Sequence, residues 1–384
     1  MKVALVHDYL TQRGGAERVF ELLCKYFPQA DIFTSVYDPK QTIDLGDRKV
    51  NTTALQYLPG ATKYFRLFAP VYYPMFRTIN LQDYDLVISS TSSFAKAVRT
   101  KPGAKHICFC HNVTRFIWDT DTYVQQYSNY KKYSFAIEKI FAAMKKTDLK
   151  YAQEPDLYIA NSSTVAKRIE EYYGRTSVTI NYPIDSSKFD YSDSKENFYL
   201  VACRLCGYKN VSVIIEAFNQ LQLPLSIIGD GPERKKLEAK AKDNIKFLGY
   251  VSDSQRQKLM SKARTVVVAA LEDYGLVPIE ANASGTPVVS FGAGGVLDTQ
   301  VSGKTGVFYN NQTAQDLMQA ILEAGKIKWD SAKIRNHALS NFSEIVFFRK
   351  ITEVIESACD RSIKDLVEPK LMSQIEQMNK VGLN

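Results

Sequence analysis

Short apolar runs alternate with longer amphipathic stretches along most of this 384-residue chain. In the first half, Val3–Val6, Asp31–Val36, Leu86–Ser89, Lys105–Cys110 and Leu157–Asn161 read as strands, being brief, apolar and bounded by polar residues. Ala16–Tyr26 and the long stretch Tyr130–Gln153 carry helical periodicity between them. Strands alternating with helices predict an α/β fold built on a doubly wound parallel sheet. The pattern breaks over Asn181–Asn197, which is polar, contains proline and lacks a period, as a linker would. A second alternating series follows: Phe198–Ala202, helix Val211–Leu221, Leu225–Gly229, helix Glu233–Asp243, Ile245–Leu248, Thr265–Leu271 and Val288–Phe291. A helix is expected from Ser343 to about Cys359, and one further amphipathic helix beyond Asp360.

Length fits this two-series reading, because a single core of this size usually splits into two. The expected boundaries are residues 1–182, 183–342 and a C-terminal helical segment 343–384. No run approaches the roughly 18 apolar residues of a membrane span. Met1–Asp8 reads as a strand cut short by a charge, not a signal peptide, so a cytoplasmic location is expected. Six cysteines are too few for a disulfide framework at this length. The pairs Cys108/Cys110 and Cys203/Cys206 have spacings that zinc or redox chemistry uses. Both sit at the ends of apolar runs, where small buried cysteines are common.

The formal charge of +8 implies an anionic partner. It does not imply nucleic acid, since no basic tail or densely basic helix face is present. A nucleotide diphosphate and an anionic membrane surface are the economical alternatives. Tyr57–Arg77 mixes aromatics, prolines and scattered cations, and Lys131–Lys150 pairs cationic ends with an apolar middle. Each suits a lipid headgroup layer or, equally, an acceptor-binding wall packed on the core.

The most informative stretch runs from Glu272 to Val289. Glu272 falls in the loop after a strand, at the carboxyl edge where open α/β sheets bind ligands. Pro278 suits a helix start, which puts Glu280 in the first turn, and Gly285 ends that helix. Two carboxylates so placed can each accept hydrogen bonds from a vicinal diol, one a ribose and one a sugar. The spacing alone serves equally a solvated loop charge and an acid favoured by the helix dipole.

The wording of the stretch goes further. It resembles the Glu-x7-Glu signature of the retaining family 4 glycosyltransferases, which include bacterial mannosyltransferases, sucrose-phosphate synthases and glycogen synthases. Gly275, Pro278, Glu280, Ala281, Ser284, Gly285, Thr286 and Pro287 carry the likeness. It implies the GT-B architecture: two Rossmann-like doubly wound domains facing a cleft, with a C-terminal helix crossing back to the first.

Other segments match the same family. Gly14-Gly15-Ala-Glu-Arg18 lies between the first strand and helix, where backbone N–H groups can meet a phosphate or sugar oxygen. Arg204 and Lys209 resemble the family's two diphosphate-neutralising cations, an Arg fork and a mobile Lys charge. Gly292–Val296 resembles its glycine-rich phosphate loop, with Leu297 and Asp298 standing where relatives often have Pro and Glu. His111, Arg115, Trp118 and Asp119 resemble a subgroup acting in bacterial surface polysaccharide assembly, many of them mannosyltransferases; His7 and Asp8 are weaker candidates for the cleft wall.

The resemblance thus implies a donor site of Gly15, Arg204, Lys209, Glu272, Tyr274, Gly275, Leu276, Glu280, Gly294 and Gly295. Gly14, His111 and Arg115 fall on the acceptor side, and His111, Arg204, Lys209 and Glu272 carry the chemistry. It implies a nucleotide-diphosphate sugar, GDP-mannose by preference, and a lipid-linked or growing glycan as acceptor. No cofactor and no metal are expected. The triplets Asp83-Tyr-Asp85 and Asp119-Thr-Asp121 lie away from the phosphate-binding cations and are read as incidental. A sugar-nucleotide 2-epimerase on the same fold, or a non-catalytic sugar-nucleotide-binding subunit, are the rival readings.

Overall fold

The computed structural model describes residues 1–119 and 130–381. They form two compact units: residues 1–181 with 348–384, and residues 182–347. The first unit is built on a seven-stranded sheet of β1 (Val3–His7), β2 (Asp31–Thr34), β3 (Val50–Thr52), β4 (Leu86–Thr91), β5 (Lys105–Cys110), β6 (Leu157–Ala160) and β7 (Ser177–Thr179). Their spatial order is β3-β2-β1-β4-β5-β6-β7, every neighbour parallel. β1 and β4 are buried throughout. Burial on both faces is why these strands read as unbroken apolar runs and not as alternating ones.

The second unit repeats the design with six parallel strands: β8 (Tyr199–Ala202), β9 (Leu225–Ile228), β10 (Ile245–Gly249), β11 (Thr265–Val268), β12 (Val288–Phe291) and β13 (Gly306–Tyr309). Their order is β10-β9-β8-β11-β12-β13. In each sheet the winding direction reverses once, between β1 and β4 and between β8 and β11. At such a point adjacent crossovers diverge and leave a crevice at the strands' carboxyl ends.

Several expected elements shift. The strand expected to reach Leu271 stops at Val268, and the helix expected over Glu233–Asp243 contracts to Arg234–Glu238. That segment is dense in charge and buries only Leu237, so no apolar face sustains a longer helix. The helix after β11 runs Leu276–Ala283, so Glu280 stands in its second turn and not its first. Its start is set by Gly275, whose φ of 90° suits glycine.

The segment read as a linker is folded onto the second unit. Ile184 and Phe189 are buried, Ile184 bridges to Ser343, and the Lys195 ammonium donates to the Ser261 carbonyl and the Thr286 hydroxyl. Its polar composition hides these two apolar anchors. Tyr57–Arg77 divides in two: Phe65, Tyr72, Tyr73 and Phe76 enter the core, while Tyr57, Leu58, Tyr64, Leu67 and Val71 are exposed.

The last helices are Glu344–Cys359 and Pro369–Val381. Phe348 stacks on Tyr26 at 4.8 Å between ring centroids, Thr352 is hydrogen-bonded to the Tyr26 hydroxyl, and Ile351, Ile355, Met372 and Ile375 are buried. The main chain at Glu368 donates to the Tyr26 carbonyl, 3.0 Å.

Candidate active site

In the second unit the reversal point gathers side chains from three loops. The turn after β8 carries Arg204 and Lys209. Arg204 is exposed, and its guanidinium meets no partner among the described residues. Lys209 is paired with the Glu272 carboxylate, which comes from the loop after β11. Burial would depress the Lys209 ammonium, but Glu272 outweighs it and holds the lysine above its ordinary range. A cavity of about 20 Å³, room for one water, lies beside them, lined by Cys203, Lys209, Val268 and Glu272 among others.

Glu280 is 4% exposed, and Arg256 Nη1 contacts its Oε2 at 2.5 Å. Arg256 belongs to the helix Asp253–Lys262 and was not visible in the sequence as a site residue. The signal lay only in three-dimensional neighbourhood, 24 residues away along the chain. Tyr274 turns its side chain into the core, where its hydroxyl donates to the Tyr182 carbonyl at 2.7 Å. Any donor contact at that position therefore falls to the backbone. Gly275 and Leu276 form the junction into the helix.

The glycines after β12 have a structural reason beyond any phosphate. Gly294 pairs with Glu272 in an isolated bridge, and the Gly295 N–H donates to the Glu272 carbonyl at 2.9 Å. A Cβ on Gly294 would lie 2.3 Å from the Glu272 carbonyl oxygen, and one on Gly295 2.4 Å from that of Asp273. The two loops are thus fitted backbone to backbone, which fixes where Glu272 can point.

In the first unit the crevice between β1 and β4 is lined by His7, Ser90 and, one residue past β5, His111. His111 Nε2 lies 2.7 Å from Ser90 Oγ, and His7 Nδ1 lies 3.0 Å from the same oxygen. His111 is 5% exposed. Burial, reinforced by the charge of His7, pushes its imidazole down to about 3, against a smaller opposing pull from Glu17. Gly14 and Gly15 stand at the start of the helix Gly15–Tyr26, and Gly14 has no side chain with which to cap it.

The remaining motif residues divide by role. Arg115 pairs with Asp119 at 2.9 Å. The Trp118 indole donates to Asp148 at 2.6 Å, and the same carboxylate accepts from the Tyr73, Thr114 and Tyr173 hydroxyls and pairs with buried Lys96. Trp118 therefore anchors the loop that carries His111. Asp8 accepts the N–H groups of Ser92, Ser93, Phe94 and Ala95, a structural role. Asp85 is engaged by Lys101 and the Lys2 backbone; Asp121 lies outside the described residues. All six cysteines are free thiols. Burial raises Cys203 to about 12 and Cys110 well above its ordinary value.

Two family models match the chain: glycosyltransferase family 4 over residues 13–188, and glycosyl transferases group 1 over residues 184–340. An uncharacterised glycosyltransferase of Methanocaldococcus jannaschii is 27% identical over 180 residues, covering 45% of this chain and 51% of that protein. The O-antigen chain mannosyltransferase C of Escherichia coli is 23% identical over 231 residues, 56% of this chain and 58% of that protein. The matched stretches thus span about half the length of these curated relatives. Among solved structures, Anabaena HepE in complex with UDP and glucose superposes over 93% of this chain and 100% of its own, with a TM-score of 0.65 at 20% identity. The fold is that of GT-B glycosyltransferases, and the chain belongs to the group 1, family 4 glycosyltransferases.

Proposed function

We propose that the protein is a retaining, metal-independent glycosyltransferase that moves a hexose, first of all mannose from GDP-mannose, onto a lipid-linked or growing glycan. The observation that carries this reading is the cluster at the second reversal point. An arginine with no partner among the described residues, a lysine poised against a glutamate, and a buried glutamate on the next helix meet beside a glycine loop. Arg204 and Lys209 take the diphosphate, Glu272 a hydroxyl pair of the sugar and Glu280 the ribose. Diphosphate binding competes with Glu272 for Lys209, freeing that carboxylate for the sugar. Gly15 serves the donor, and Gly14, His111 and Arg115 serve the acceptor side. The acceptor hydroxyl attacks from the face the diphosphate leaves, and the departing phosphate oxygen takes its proton.

Support for a nucleotide sugar comes from the UDP complexes of Anabaena HepE, and for mannose from the E. coli O-antigen mannosyltransferase. The choice between bases is tested by thermal shift against GDP, UDP and ADP with their sugars, since a ligand bound only by the folded protein raises its melting temperature. GDP and GDP-mannose should give the largest shift, and transfer should survive EDTA. A response to UDP-sugars alone would overturn the donor assignment. Loss of activity with chelator, restored by Mg²⁺, would overturn the metal-independent chemistry.

No helix among the described residues is long and apolar enough to cross a membrane. Tyr57 and Leu67, 83% and 77% exposed, stand close in sequence to Lys63 and Arg66. We read this patch as a peripheral contact with an anionic bilayer. Sedimentation with vesicles containing anionic lipid, lost on Leu67→Glu, is the expected result.

A further inference from the structure

The crevice of the first unit holds an acid that the proposed reaction does not use. Glu17 lies in the first turn of its helix, where carboxylates ordinarily face water and favour the dipole from outside. This one is 2% exposed. Its Oε1 lies 3.9 Å from His7 Nε2 and accepts from Gln12 Nε2 at 3.0 Å. Gln12 in turn accepts from Arg66 at 3.0 Å. Burial alone would raise the Glu17 carboxyl, but the neighbouring His7 ring and the Gln12 hydrogen bond hold it below its ordinary value, so it is ionised.

Beyond Glu17 the contacts continue in a line. His7 and Ser90 are register partners on adjacent parallel strands, so their side chains share one face. Ser90 Oγ then bridges His7 Nδ1, at 3.0 Å, to His111 Nε2, at 2.7 Å. His7 is held in place by stacking on Phe20, 4.7 Å between centroids.

We propose that Glu17, His7 and Ser90 are positioning residues for His111: the buried carboxylate gives this chain a direction and thereby decides which nitrogen of the His111 ring carries the proton. An ionised carboxylate only accepts, so it favours a proton on His7 Nε2. In the uncharged form of His7 the lone pair then stands on Nδ1 and accepts the Ser90 O–H. The Ser90 oxygen is left to accept, which draws the His111 proton to Nε2. Because burial keeps His111 neutral, its tautomer and not its charge is the variable that the chain sets. The assignment rests on the reading that His111 serves the transfer site, and the test separates the two.

Only four histidines are present, so ring ¹⁵N spectra are assignable by single substitutions. Wild type should show His111 protonated at Nε2. In Glu17→Gln the charge that favours a proton on His7 Nε2 is gone, so the chain loses its direction and an Nδ1-protonated population should appear at His111. Ser90→Ala should abolish the response of His111 to Glu17→Gln, and Ser90→Thr, which keeps the hydroxyl, should preserve it. Both Glu17→Gln and Ser90→Ala should lower kcat by about 10- to 100-fold, the scale for removing a partner that orients a working group. KM for the donor should be unchanged, and Ser90→Thr should retain most of the rate. If Glu17→Gln does not fold, Ser90→Ala against Ser90→Thr still decides the matter.

A His111 spectrum identical in wild type, Glu17→Gln and Ser90→Ala overturns the chain. An altered tautomer with unchanged kcat overturns its catalytic relevance. If His111→Asn itself leaves kcat intact while the tautomer coupling is seen, the failure lies in the reading of His111 and not in the chain.

Discussion

A lysine already held by a carboxylate answers to substitution differently from an exposed arginine. Arg204→Ala removes a charge with no partner among the described residues, so turnover should fall by about 10²–10³ while the melting temperature stays put. Lys209→Ala should lower turnover on the same scale. It also leaves Glu272, largely buried, without its counter-charge, which should cost about 1–2 kcal/mol, between the values for exposed and buried pairs. Thermal unfolding beside steady-state kinetics separates the two; equal stability of both variants would contradict the pairing. The two glutamates divide by ligand part. Glu280→Gln should weaken binding of the bare nucleoside diphosphate, a contact made alike in ground and transition states. Arg256→Ala should share part of that loss, because Arg256 orients Glu280. Glu272→Gln should spare this affinity and depress turnover. Calorimetry giving the reverse pattern would exchange their roles.

Among the elements, the loops rather than the helices and strands set the precision of the site. Gly294→Ala would place a methyl 2.3 Å from the Glu272 carbonyl oxygen at a backbone φ of 79°. It should destabilise the second unit by about 1–3 kcal/mol and lower turnover together, because the same displacement moves Glu272. A stable, fully active variant would detach the glycine loop from Glu272. Much of this was legible beforehand. β1, β4, β5 and β12 declared themselves because strands buried on both faces leave continuous apolar runs, and the Glu272–Pro287 segment carried its own punctuation of Gly and Pro. What escaped was non-local. Arg256, Glu17 and Ser90 are ordinary residues in the chain, and only the folding of distant segments brings each to its partner. Nothing in the sequence of Trp118 distinguishes an anchor from a ligand contact until Asp148 is seen beneath it. The helix expected over Glu233–Asp243 stops at Glu238 because that segment offers only Leu237 to the core.

For the whole molecule, the telling fact is that the first unit is not continuous in sequence. Residues 348–384 belong with residues 1–181. A chain ending at Phe347 should therefore unfold in two separate steps: the second unit near its normal temperature, and the first well below it. Loss of Phe348, Ile351 and Ile355 strips Tyr26 and its surroundings of buried apolar partners, each side chain contributing about 1.5–3 kcal/mol on burial. Calorimetry of the truncated chain showing an unshifted first unit would make those helices an appendage.

That discontinuity also orders events during synthesis. Domains generally fold as they emerge, the earliest first. Here the earliest residues wait for the last ones: Tyr26 leaves the ribosome long before Phe348 exists to stack on it. The second unit, made from one unbroken stretch, has all its residues out while the first still lacks its closing helices. Through that interval the nascent first unit exposes an apolar stripe, and this is the stage at which a chaperone would be needed and at which a stalled ribosome would leave an aggregation-prone product.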